Sequence, residues 1–138
     1  MRAVIIADTG PLLALFHDRD ANHHWALNRY REFREPLLTT EGVLVEALHL
    51  LRKVPGAGAD LLELWQRGFL NASFSAESEK ASLVKLMRRY ADVPISFVDA
   101  SLVRLAEIYA HSQVWTVDGH FRVYRRNGRQ VIPLIAPG

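Results

Sequence analysis

The chain contains no cysteine. That excludes disulfides, thiolate zinc sites and cysteine nucleophiles together. It fits a reducing compartment, and a cytoplasmic location is the expectation. No apolar run approaches the roughly 20 residues that cross a bilayer. The opening residues Met1 to Ile6 start like a secretory leader. Asp8, Gly10 and Pro11 interrupt the apolar stretch, so it reads as the first strand of a mature chain. There is no internal repeat, low-complexity tract or linker. A nucleotide-binding glycine loop is also missing, because Pro55-Gly56-Ala57-Gly58 has no strand before it. A strong excess of one charge is absent too: 17 Lys+Arg stand against 15 Asp+Glu. That balance permits nucleic-acid binding without demanding it.

What is present suits one folded domain over residues 1–138. A chain this long buries roughly 68% of its unfolded surface, enough for a core of its own. Arginine greatly outnumbers lysine, and Arg122, Arg125, Arg126 and Arg129 cluster near the C-terminus. The planar guanidinium fork suits phosphate.

Apolar patterning alternates strands with helices. Strands are expected at residues 3–7, 36–40, 69–74, 114–117 and 131–135. Helices are expected from Pro11 through Phe16 and at residues 21–34, 41–53, 59–67, 76–90 and 97–111. Thr39 or Thr40 can cap the third of these. Asn127-Gly128 reads as a turn. The alternation predicts an α/β domain with a mostly parallel sheet covered on both faces. Such sheets bind ligands beyond the carboxyl ends of their strands.

Four acids lie in otherwise apolar surroundings: Asp8, Glu46, Asp99 and Asp118. A carboxylate beside a core is costly unless it is paired or bound to a cation. Each one alone has an ordinary role open to it. Asp8 can cap or turn. Asp8-Thr9-Gly10 also matches the aspartic-protease core, but those enzymes are nearly all-β and this pattern is mostly helical. Glu46 can be a rim residue of its helix. Ser96-Phe97-Val98-Asp99 is a capping box. Asp118-Gly119 is a turn signal. Together they share an expected sheet edge. Several carboxylates a few ångströms apart cannot all stay ionised without a countercharge. An all-oxygen set favours Mg²⁺ or Mn²⁺ over zinc, and that chemistry fits phosphodiester hydrolysis. His120, just after Asp118, can approach a phosphate. A phospho-accepting receiver domain fits less well, since Asp8 has no acidic neighbour beside it.

The segments Ala7-Asp8-Thr9, Leu44-Val45-Glu46, Phe97 to Leu102 and Thr116 to Phe121 resemble, in order and spacing, the four motifs of PIN-domain nucleases. Tyr90 through Leu102 is similar to the VapC-type toxins of bacterial toxin–antitoxin pairs. The resemblance implies a three-layer α/β/α sandwich with a central, mostly parallel sheet. It implies Mg²⁺- or Mn²⁺-dependent cleavage of single-stranded RNA regions, with Asp8, Glu46, Asp99 and Asp118 as the catalytic, metal-binding quartet. Thr9 and Thr116 would make supporting hydrogen bonds, and Asp92 would be structural. Gly119 departs from the larger polar residue common at that place. A homodimer and a cognate antitoxin are further implications. Two other functions remain open: a housekeeping PIN nuclease of RNA processing, and a non-catalytic PIN-like interaction module.

Overall fold

The computed structural model describes residues 3–138, so Met1 and Arg2 of the opening segment lie outside it. Its strands are β1 (Val4–Ala7), β2 (Leu37–Leu38), β3 (Leu70–Asn71), β4 (Ser112–Trp115), β5 (Arg125–Arg126), β6 (Gln130–Val131) and β7 (Leu134–Ile135). Its helices are α1 (Thr9–Phe16), α2 (His23–Glu32), α3 (Glu41–Leu50), α4 (Ala57–Gln66), α5 (Lys80–Arg89) and α6 (Phe97–Ile108). The main sheet runs β3-β2-β1-β4-β7, and every neighbouring pair is parallel. Helix α1 packs on α2, α3 and α4, while α5 packs on α6 and α6 on β1 and β4. The expected helix-flanked parallel sheet is the one found.

Burial drives this arrangement. Ile6, Leu12, Leu102 and Val114 are fully enclosed, and each such side chain contributes about 1.5–3 kcal/mol relative to exposure. Trp115 ends β4 in the core, with Phe33 edge-on at 5.1 Å and Trp25 at 6.1 Å.

Several expected boundaries move, each for a local reason. Helix α1 opens at Thr9 rather than Pro11, because Asp8 Oδ1 accepts the Thr9 N–H at 2.7 Å and caps the helix. Pro11 then lies in the first turn, where its missing N–H costs nothing. Of the two candidate threonines, Thr40 caps α3, its hydroxyl accepting from the Val43 N–H at 3.2 Å. The third strand shrinks to two residues, since Asn71 Oδ1 accepts from both the N–H and the hydroxyl of Ser73 and turns the chain away. The last expected strand, residues 131–135, divides at Pro133. Val131 pairs antiparallel with Arg125 in a small hairpin, whereas Leu134 and Ile135 join the main sheet. Asn127 and Gly128 turn that hairpin at positive φ, 52° and 80°.

Candidate active site

Asp8 follows β1 directly and is 6% exposed. Its position is held by the main chain, since its N–H donates to the Trp115 carbonyl at 2.9 Å. Both carboxylate oxygens are engaged: Oδ1 accepts from the Thr9 N–H and Oδ2 from the Thr116 hydroxyl, each at 2.7 Å. Burial pushes the Asp8 carboxyl up to about 6. The two hydrogen bonds pull against that rise, and the charges of Asp99 and Asp118 add to it.

Thr116 is fully buried just past β4. Besides donating to Asp8, its hydroxyl accepts from the Asp118 N–H at 2.9 Å. One side chain therefore ties two acids that are distant in sequence. Asp118 sits over the 3₁₀ turn Gly119–Val123, where its Oδ1 accepts the His120 N–H at 2.8 Å. The exposed His120 ring also places Nδ1 at 3.0 Å from that oxygen. Gly10 makes the close approach possible, because a Cβ there would overlap Val117 Cγ2.

Asp99 stands in the first turn of α6, with its N–H donated to the Ser96 hydroxyl at 3.0 Å. The expected capping serine and the candidate acid thus coexist. Tyr124 donates its hydroxyl to Asp99 Oδ2 at 3.1 Å. Burial raises the Asp99 carboxyl above its ordinary value; the tyrosine bond opposes the rise, and Asp118 and Glu46 add to it. Tyr124 is itself pushed up, first by burial and then by the charge and hydrogen bond of Asp99, so it remains a donor at neutral pH. Its ring packs edge-on against Tyr90 at 5.2 Å and Phe121 at 5.1 Å. Glu46 is exposed on α3. One turn earlier, Gly42 lets α3 approach α6, where an added Cβ would lie 3.3 Å from Val98 Cγ2.

The fold therefore gathers Asp8, Asp99 and Asp118 into one mutually repelling set, with Glu46 at its border. Thr116 makes the supporting hydrogen bonds. The Thr9 hydroxyl does not: it is buried without a partner among the described residues, and the bond to Asp8 comes from the Thr9 main chain. Tyr124 is the residue that the sequence reading missed. Its signal was weak, a tyrosine in a basic stretch whose buried hydroxyl needs a partner.

No three His, Asp or Glu side chains among the described residues stand close enough to hold one ion directly. The donor chemistry still suits a hard cation. Asp99 Oδ1 and Asp118 Oδ2 carry no hydrogen bond among the described residues. Mg²⁺ keeps much of its water and binds through one or two carboxylates.

No protein-family model matches the chain, and no curated protein matches it. Among solved structures it is similar to VapC20 of Mycobacterium tuberculosis, a sarcin–ricin loop cleaving toxin. Identity is 22%, the match covers 83% of this chain and 90% of that one, and the TM-score is 0.73. The chain has the fold of that VapC toxin, with its acidic set beyond the carboxyl ends of β1 and β4.

Proposed function

We propose that the protein is a Mg²⁺- or Mn²⁺-dependent endoribonuclease, the toxin of a toxin–antitoxin pair. One observation carries the reading. Asp8, Asp99 and Asp118 meet from distant segments, with Glu46 alongside, at one edge of a fold shared with an RNA-cleaving toxin.

Asp8, Asp99 and Asp118 would share the cation, at most two of them directly and the rest through its bound water, and Glu46 would bind it or orient water. The cation would stabilise charge on the phosphate and make water a better nucleophile at neutral pH. This chain's own residues supply the positioning. Thr116 and the Thr9 N–H fix both oxygens of Asp8, and Tyr124 fixes one oxygen of Asp99. The combined like charge of Asp8, Asp99 and Asp118 weakens the metal-free site, which favours taking up a divalent ion. VapC20 cleaves the sarcin–ricin loop, so a structured RNA is the substrate class we favour. A cognate antitoxin, a homodimer and a cytoplasmic location complete the proposal.

The test is cleavage of total cellular RNA by purified protein with Mg²⁺, Mn²⁺ or EDTA, beside the Asp99→Asn variant. Discrete metal-dependent fragments, absent from the variant, are expected. Cleavage without toxicity on expression would point to a housekeeping nuclease. No cleavage with either metal, in protein free of antitoxin, would point to a non-catalytic module.

A further inference from the structure

Away from the acids, an open cleft of about 910 Å³ lies between α5, α6 and the β5–β6 hairpin. Its cations are Lys85, Arg88, Arg89, Arg104 and Arg129. Arg104 is already committed: its Nε lies 2.6 Å from Glu79 and its Nη1 3.2 Å from Glu107. Glu107 in turn accepts the Asn127 N–H at 2.8 Å. Lys85, Arg88, Arg89 and Arg129 are exposed and have no carboxylate within ion-pair distance among the described residues. Five cations against one lining acid, Glu107, leave the cleft clearly positive.

The cleft is built rather than incidental. Arg89 donates Nη2 to the Gly128 carbonyl at 3.1 Å. Its guanidinium lies so close that a Cβ at Gly128 would sit 2.8 Å from both terminal nitrogens. The next residue, Tyr90, accepts the Arg125 N–H at 2.9 Å and packs on Tyr124, which holds Asp99. One aromatic block therefore supports the basic cleft on one side and the acid site on the other. Along α6, the cleft residues Arg104 and Glu107 lie about 8–12 Å from Asp99.

We propose that this cleft grips the phosphodiester backbone of the substrate RNA, away from the scissile bond. The proposal rests on the nuclease reading and says which arginines position the RNA. A polyanion backbone needs charge and donors and no apolar anchor. Protein partners concentrate binding in buried apolar or aromatic contacts. The cleft offers only Leu86, itself 5% exposed.

The test measures binding separately from cleavage. A fluorescein-labelled RNA stem–loop is titrated by anisotropy with Asp99→Asn protein in EDTA across a KCl series. Adding Arg88→Gln, Arg89→Gln and Arg129→Gln removes three cations. The slope of log affinity against log salt should fall by about 2–3, and affinity should drop about tenfold or more near 0.15 M salt. Because Arg89 also braces the hairpin, a second set (Lys85→Gln, Arg88→Gln, Arg129→Gln) leaves its bond to Gly128 intact. It should give the same loss of slope, with an unchanged circular dichroism spectrum. In the nuclease-competent background, both sets should raise KM and leave kcat near wild type. Unchanged affinity and slope, in a protein whose parent binds and cuts RNA, would overturn the cleft and leave the nuclease standing. Intact RNA binding with lost binding of a polyglutamate peptide would assign the cleft to an acidic protein and also overturn it. A parent that neither binds nor cuts RNA would end the nuclease reading, and the cleft's role with it.

Discussion

Replacing Asp8 with Asn should stabilise the metal-free protein at neutral and higher pH, although Asp8 lies at the centre of the site. The folded carboxyl titrates at about 6, against 3.8 for an unperturbed aspartate. Between those values the folded state holds a proton that the unfolded state has released. Stability therefore falls as pH rises through that window, and the full cost is present above it. Roughly two units correspond to about 3 kcal/mol. Asn carries no charge and escapes this cost. It cannot accept from both the Thr9 N–H and the Thr116 hydroxyl as Asp8 does, and losing one such bond costs about 1 kcal/mol. The net gain is about 1–2 kcal/mol near pH 8, or about 3–6 °C in Tm. Urea denaturation in EDTA, repeated near pH 4.5 and pH 8, measures it. The advantage should shrink at the acidic value, where wild-type Asp8 is protonated. Added Mn²⁺ should reverse the order by stabilising only the wild type. An Asn variant less stable than wild type near pH 8 in EDTA would refute the argument and make Asp8 a structural carboxylate.

Thr116→Val keeps the shape but strands Asp8 Oδ2 and the Asp118 N–H, so urea denaturation should show a loss of about 2–3 kcal/mol, with Thr116→Ser recovering most of it. Tyr124→Phe keeps the ring packing and removes the donor to Asp99. Calorimetry should find Mn²⁺ affinity weakened about tenfold, with stability changed by no more than about 1 kcal/mol.

Much of the fold was legible because apolar strand runs and capping signals are local. Val4–Ala7 read as a strand from its short apolar run, and Ser96 with Asp99 could be read as a cap from four adjacent residues. Boundaries moved where a side chain met a main-chain group, as at Asn71, or where a proline divided a run, as at Pro133. The candidate acids were legible as types in unusual surroundings.

The sequence alone determined the alternation of strands and helices, and with it a parallel sheet with Asp8 and Asp118 beyond its strand ends. Only the tertiary structure decided how those acids are held. Thr116 bonds Asp8 across 108 residues, Tyr124 bonds Asp99 across 25, and Arg89 reaches Gly128 across 39. Such contacts leave no local pattern, because a hydrogen bond depends on where two groups finish in space. A hydroxyl in sequence is only a donor and an acceptor; the packed sheet edge chooses its partner.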